Sequence, residues 1–222
     1  MTEKGRLSKT TGYYLAFVML GMSRVVVGPT LPALAAQTHV SLGAISSVFA
    51  AASLGSLLGS VLGGWLYDRT PGHPVLAAML GVVALIFFII PLTPMLWGLI
   101  GLFLVLGIAQ NMLDLGSNTF LVWVHREKVG SFMNALHFFF GGGAFLVPLI
   151  VRWLLKGNHH VTNAYWIIGS LMVPVAIGFL FLPSPALYVP PKTTSKGKNR
   201  PWLVGGIALF FFLYFKLTTV HC

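Results

Sequence analysis

The chain has 222 residues, of which 56% are hydrophobic and 8% are charged, and its formal net charge is +10. Soluble domains contain about 25% charged residues, so this composition excludes an ordinary soluble domain and indicates an integral membrane protein. The single cysteine, Cys222, excludes an intrachain disulfide and a cysteine metal cluster.

Long apolar stretches recur along the whole chain. Crossing about 30 Å of hydrocarbon takes about 20 mostly apolar residues. The predicted spans are residues 13–34, 42–67, 75–92, 95–124, 132–155, 163–182 and a short seventh stretch, 202–215. We therefore predict an all-α membrane protein with a tail (1–12), a six-span bundle (13–183), a basic linker (184–201) and a partial seventh span with an aberrant C-terminus (202–222).

Basic residues concentrate in alternate connections between the spans. They lie before span one, between spans two and three, between spans four and five, and between spans six and seven: Lys4, Arg6, Lys9, Arg69, Arg126, Lys128, Lys192, Lys196, Lys198 and Arg200. By the positive-inside rule, this alternation predicts a multi-pass protein of the cell membrane with a cytoplasmic N-terminus. The excess charge therefore indicates topology, aided by anionic lipid, and not a nucleic-acid partner.

Span two carries two adjacent rows of small residues. Each row recurs at every fourth position: Ala51, Gly55, Gly59 and Gly63, and beside them Ala52, Ser56, Ser60 and Gly64. Helical geometry stacks each row on one face. Small residues allow helices in lipid to approach closely, so the rows predict a helix contact, either static packing or a sliding surface.

The connection after span two is very short and combines a charged pair with a Gly/Pro turn. Residues 63–74 read Gly-Gly-Trp-Leu-Tyr-Asp-Arg-Thr-Pro-Gly-His-Pro, with Asp68 and Arg69 adjacent. Glycine and proline favour a turn at this point. The arrangement is typical of a hairpin between two spans of a carrier.

Asp114 is the one acidic residue of four that lies within a predicted span. It precedes His125 by eleven residues, about 16 Å of helix, which is roughly half of the hydrocarbon thickness. A carboxyl group at that depth needs a wet cavity or a partner, so the default hypothesis is a functional site. Asn111 and Asn118 share its helix face.

Arg24 in span one is placed to be the partner of Asp114. It lies fifteen residues after Lys9 and thirteen before Gln37, which also puts it near mid-depth. Attraction between the two charges is strengthened in a low dielectric and offset by desolvation. The pair is either a structural lock between spans one and four or part of a substrate or ion site.

Span five supplies another polar row. Asn134 and His137 lie three positions apart, and three glycines follow at 141–143. Glycines there allow another backbone or a ligand to come close. His137 is either a hydrogen-bonded core residue or a residue of a functional cavity.

These residues carry a resemblance to the N-terminal half of major facilitator superfamily transporters. The family loop between spans two and three reads Gly-x-Leu-x-Asp-Arg-x-Gly, and Gly64, Leu66, Asp68 and Arg69 match it. Gly72 arrives one position late, and His73 stands where arginine is usual.

Three further stretches resemble one branch of that superfamily. Residues 28–31 (Gly-Pro-Thr-Leu) leading to 37–39, the Asp114-x-x-x-Asn118 pattern, and 134–144 followed by 148–150 are similar to the fucose permease and sodium-dependent glucose transporter branch. The resemblance covers about residues 11 to 185. It implies a six-helix half-bundle, because superfamily members rock two such halves about a central site.

The resemblance also implies residue roles in a secondary transporter, cation-coupled by H⁺ or Na⁺, for a monosaccharide or similar small polar solute. Asp114 matches the acidic position expected to couple the cation. The candidate substrate cavity consists of Arg24, Asn111, Asn118, Asn134 and His137, of which Arg24 is a departure from the family pattern. The candidate cytoplasmic gate consists of Gly64, Asp68, Arg69 and Gly72.

Other functions stay open at this point. A drug/proton antiporter half fits the superfamily, and a truncated, non-transporting membrane subunit fits the length. We expect a missing second half, from a truncated frame or a split pair, or else a homo-oligomer. An enzyme is not expected, because His-Glu-x-x-His, Gly-x-Ser-x-Gly and paired catalytic aspartates are absent from the sequence. No cofactor or metal is expected beyond the coupling ion.

Overall fold

The computed structural model describes residues 3–156 and 162–186, and its regular structure there is helical. The helices are α1 (Glu3–Val25), α2 (Val27–Gln37), α3 (Leu42–Ile45), α4 (Ser47–Tyr67), α5 (Gly72–Ile89), α6 (Leu96–His125), α7 (Val129–Lys156) and α8 (Thr162–Phe181). All of them belong to one compact unit, Met1–Leu187. The predicted seventh span and nearly all of the predicted linker lie outside the described residues.

The first predicted span is bent and not straight. Helices α1 and α2 meet at an angle of 45°. Pro29 has no backbone N–H to donate to the carbonyl of Val25, and its ring crowds that carbonyl, so the helix breaks one turn before it. Arg24 consequently lies in the last turn of α1, directly before the break.

By length and apolar composition, four helical stretches are able to cross a membrane, and the bent pair raises the number to five. One of the four, Leu96–Leu154, is 59 residues long. At about 1.5 Å per residue it would extend about 90 Å, three times the hydrocarbon thickness. It must therefore contain more than one crossing.

Contacts with α1 show where this long stretch reverses. Along α6, Gln110 contacts Ser23 and His125 contacts Thr10, so α6 runs antiparallel to α1. Along α7 the order is the opposite, because the Phe132 carbonyl contacts Tyr14 whereas Gly143 packs on Val18. The reversal falls at the 3₁₀ turn Arg126–Lys128, where Arg126 has a φ of 53°. The described helices thus make six passes, and the predicted all-α fold class is confirmed.

The six passes associate mainly as three helix pairs. α4 packs on α6, α1 on α7, and α5 on α8. Between the pairs, α6 contacts α5 and α1, and α1 contacts α8. Helices α1 and α6 are therefore the elements through which the pairs are joined. This arrangement places Arg24 of α1 and Asp114 of α6 at the same contact.

The small-residue rows of α4 form the contact with α6. A Cβ atom added at Gly55 would overlap the carbonyl oxygen of Leu104, and one added at Gly107 would overlap that of Ala52. The backbones therefore touch, and the rows act as a packing surface in this conformation. The opposite face of α4 exposes large apolar side chains, including Leu57, Val61 and Trp65.

Two glycines on α6 allow a matched test of this contact. We expect Gly107→Ala to lower the melting temperature of the purified chain in detergent, because the methyl group forces α4 and α6 apart at a cost of about 1–3 kcal/mol. Gly101 has nothing within 4 Å of an added Cβ, so Gly101→Ala should leave the melting temperature unchanged or raise it slightly. Equal melting temperatures for the two variants would contradict the packing.

Candidate functional site

A single ion pair joins α1 and α6 within the described part of the chain. An Nη atom of Arg24 lies 3.0 Å from Oδ2 of Asp114. The two side chains keep 35% and 29% of their surface accessible. The pair therefore joins α1 to α6 where both side chains are still about one-third exposed on the described helices.

Asn118 completes the environment of the carboxylate. Its side-chain amide donates to Oδ1 of Asp114 at 2.8 Å and to the Asp114 backbone carbonyl at 2.9 Å. The two residues are four positions apart, which puts them on neighbouring turns of one helix face. Each carboxylate oxygen thus has a donor, one charged and one neutral.

A second polar contact fixes the same two helices close to the ion pair. The buried amide of Gln110 donates to the hydroxyl of Ser23 at 3.0 Å, and Ser23 donates to the Leu20 carbonyl at 2.9 Å. These residues neighbour Arg24 on α1 and Asp114 on α6. The backbone positions of the ion pair are therefore set by a buried hydrogen bond that does not depend on the charges.

Asn111 takes a different place from the rest of the predicted cavity. Its side-chain amide donates to the Ser56 carbonyl and, at 2.7 Å, to the hydroxyl of Ser60, both on α4. The small-residue row of α4 thus supplies polar partners as well as space. A role of Asn111 in the cavity stays a prediction, because the structure directs its amide toward α4 and not toward Asp114.

His137 and Asn134 lie exposed on α7, nearer to the end of the bundle that carries the N-terminus. The ring of His137 contacts the ring of Phe17 edge-on, with the centroids 5.8 Å apart. Phe17 precedes Arg24 by seven residues, or about 10 Å of helix. The structure therefore places His137 against α1 at Phe17, seven residues before Arg24.

The predicted gate motif lies at the junction of α4 and α5. Asp68 caps the end of α4, and its side chain is exposed without an ion-pair partner among the described residues. The guanidinium of Arg69 lies over the Trp65 ring, 4.4 Å from its centroid. Gly72 begins α5 beneath Phe120, whose ring a Cβ would overlap. The late glycine is thus required by packing.

The residue after that glycine, His73, forms a buried hydrogen-bonded centre that sequence reasoning did not identify. Its Nδ1 lies 3.0 Å from the Leu182 carbonyl, which can only accept, so Nδ1 carries the proton. Its Nε2 then accepts from the hydroxyl of Tyr13 at 2.8 Å. Its backbone N–H donates to the Ser184 hydroxyl. His73 thereby ties α1 and the segment after α8 to the start of α5.

Two further buried pairs were also missed. The Thr10 hydroxyl lies 2.7 Å from Nε2 of His125, and the Thr30 hydroxyl lies 2.7 Å from that of Tyr165. The first joins α1 to α6 and the second joins α2 to α8. The sequence offered one signal only, the histidine at position 73 where the family pattern has arginine.

Comparison with known proteins identifies the kind of chain to which this arrangement belongs. The sequence profile of the Major Facilitator Superfamily matches residues 13–220. The sodium-dependent glucose transporter 1 of Danio rerio is 32% identical over 92% of this chain and 35% of its own length. The corresponding human protein is 31% identical over 67% of this chain and 29% of its own length.

A second group of relatives has no substrate in its name. Major facilitator superfamily domain-containing protein 4A of Mus musculus is 37% identical over 79% of this chain and 44% of its own length. The chain thus spans less than half the length of these curated relatives.

Adjacent tyrosines on α1 test the buried centre at His73. We expect Tyr13→Phe to lower the melting temperature of the chain, because it leaves Nε2 of His73 buried without a donor, at a cost of about 1–3 kcal/mol. Tyr14→Phe is the control, since the Tyr14 hydroxyl makes a longer, 3.3 Å bond to a helix carbonyl. If both variants melt at the same temperature as the wild type, the Tyr13–His73 bond does not contribute as described.

Proposed function

The chain belongs to the Major Facilitator Superfamily, and from that premise we propose that it is the N-terminal half of a secondary transporter that couples a cation to the movement of a monosaccharide or similar small polar solute. The observation that carries the proposal is the partly exposed Arg24–Asp114 ion pair between helices α1 and α6. Relatives named as sodium-dependent glucose transporters support the choice of cation and solute. Members of this superfamily are transporters and not enzymes.

Asp114 is the proposed binding residue for the coupling cation. A proton or Na⁺ at its carboxylate removes the charge that Arg24 neutralises, so the guanidinium is released from α6. Breaking a fully buried pair costs about 3–5 kcal/mol, and the partial exposure of both groups reduces that cost here. The cation must supply the difference, because a ligand shifts an equilibrium only by its differential affinity for the two states.

Release of Arg24 makes its guanidinium available to the solute, so the solute is expected to bind after the cation. A free guanidinium presents five donors, and the hydroxyl groups of a sugar are suitable acceptors. Asn118, which already donates to Asp114, and the more distant Asn134 and His137 are the proposed further contacts for the solute. Binding would then be coupled through Asp114 without direct contact between the cation and the solute.

We propose that the protein lies in the plasma membrane. Its N-terminus and the Asp68–Arg69 loop then face the cytoplasm. The alternation of basic residues supports this orientation. The exposed carboxylate of Asp68 is available to a second six-span unit, which the same polypeptide, a separate chain or a second copy would supply. Alternating access requires such a unit to rock against this one.

Uptake by proteoliposomes tests the proposed function. The chain is reconstituted alone and after coexpression with the second half of the Danio rerio relative, and labelled glucose uptake is followed under Na⁺, proton or no gradient. We expect accumulation that requires one cation gradient and the second half. Counterflow of a lipophilic cation in exchange for protons would favour an antiporter, and no transport by either preparation would favour a non-transporting subunit.

The role of Asp114 has a separate test in the transporting preparation. Asp114→Asn keeps an acceptor for Asn118 but removes the charge, so we expect cation-driven accumulation to fall at least tenfold while exchange of solute at equal cation concentration persists. Glu127→Gln, which removes an exposed carboxylate in the turn after α6, is the matched control and should transport as the wild type does. Undiminished accumulation by Asp114→Asn would refute the assigned role.

A further inference from the structure

Arg24 contacts two helices besides its own. It pairs with Asp114 on α6, and its guanidinium carbon lies 5.9 Å from the centroid of the Phe140 ring on α7. A cation is attracted to the face of an aromatic ring within about 6 Å. The guanidinium is thus already at the outer edge of a second binding position while the first is occupied.

The position of Phe140 does not depend on Arg24. Its carbonyl oxygen packs on Gly21, one turn before Arg24, where a side chain on α1 would overlap it. One turn later on α7, Gly143 packs in the same way on Val18. The Phe140 ring also meets the Phe17 ring edge-on, with the centroids 6.3 Å apart. The α1–α7 contact therefore fixes the ring beside Arg24 in advance.

We infer that Phe140 is a positioning residue that holds the Arg24 guanidinium when the Asp114 carboxylate is neutralised. The part that Phe140 plays in cation coupling rests on the proposed function. A released guanidinium inside the bundle needs a replacement for its lost partner. At 5.9 Å the attraction to the ring is weak, and a side-chain rotation that brings the two closer strengthens it. The ring thus favours the released state over the paired state, as a differential interaction must.

The consequence is an exchange of helix contacts. In the paired state Arg24 connects α1 to α6, and in the released state it connects α1 to α7. Cation binding at Asp114 would thereby weaken one helix contact and strengthen the other within the same six-span unit. Phe140 needs no contact with the cation or the solute for this role. Because the released guanidinium is also the proposed donor to the solute, we expect the effect of Phe140 on solute affinity to disappear when the cation is saturating and Arg24 is already released.

A double-mutant cycle on the purified full chain in lipid nanodiscs tests the inference without any transport measurement. Phe140→Leu is compared in the wild-type chain and in Asp114→Asn, where Arg24 has lost its carboxylate. We expect the substitution to lower the melting temperature by about 2–4 °C more in Asp114→Asn than in the wild type. An equal or smaller effect in Asp114→Asn would overturn the inference.

A neighbouring phenylalanine provides the matched control. Phe138 lies on the same helix with 76% of its surface exposed, so Phe138→Leu should have the same effect in both backgrounds. If Phe140→Leu does not fold, fluorinated phenylalanines at position 140 replace it, because they keep the shape and weaken the negative face of the ring. The melting temperature of Asp114→Asn should then fall stepwise with fluorine content, and a flat series would overturn the inference.

The cation dependence of uptake separates this inference from the proposed function. Phe140→Leu should raise the half-saturating cation concentration by about three- to fivefold, with little change in the half-saturating solute concentration measured at saturating cation. Phe140→Tyr should restore the wild-type half-saturating cation concentration. A wild-type chain without cation dependence, together with a positive cycle, would refute the proposed function alone. A cation-dependent wild type with a flat cycle would refute the role of Phe140 alone.

Discussion

A charge among apolar helices must be neutralised, because hydrocarbon and protein solvate it poorly. Asp114 meets this constraint through Arg24 at 3.0 Å and through the amide of Asn118. Several features of the structure position these two residues. The break at Pro29 ends α1 directly after Arg24, and the Gln110–Ser23 hydrogen bond sets the distance between α1 and α6. The pair is therefore a structural connection, and it is also the point at which we propose that a cation acts on the bundle.

Close contacts between helix backbones hold the other helices in place. Glycines at 55 and 107 bring α4 onto α6, and glycines at 21 and 143 bring α7 onto α1. Because lipid provides little hydrophobic drive between helices, such contacts depend on packing and on occasional polar bonds such as those of Asn111 to α4. The result is a bundle whose helices are packed tightly enough to place Arg24 between Asp114 and Phe140.

The sequence of a membrane protein predicts its spans well, but it predicts fewer of the contacts between them. The six apolar stretches were predictable from length and hydropathy, and the pairing of Arg24 with Asp114 from their similar depth. The hydrogen-bond partners of the Asn111 amide were not predictable. Helix spacing shows on which face of α6 Asn111 lies, but not which helix packs against that face. The Tyr13–His73–Leu182 centre was not predictable either. Arg24 and Asp114 are opposite charges at similar depth, whereas a neutral tyrosine, a histidine and a backbone carbonyl carry no such mark of a shared partner.

The Arg24 guanidinium and the Asp114 carboxylate are expected to stay in direct contact when the chain is in a bilayer. Solid-state NMR measures this contact through the dipolar coupling between guanidinium nitrogen and carboxylate carbon in a chain labelled at arginine and aspartate. We expect a short-range coupling that disappears in both Arg24→Gln and Asp114→Asn. Absence of that coupling in a folded wild-type chain would show that the ion pair does not form in the bilayer.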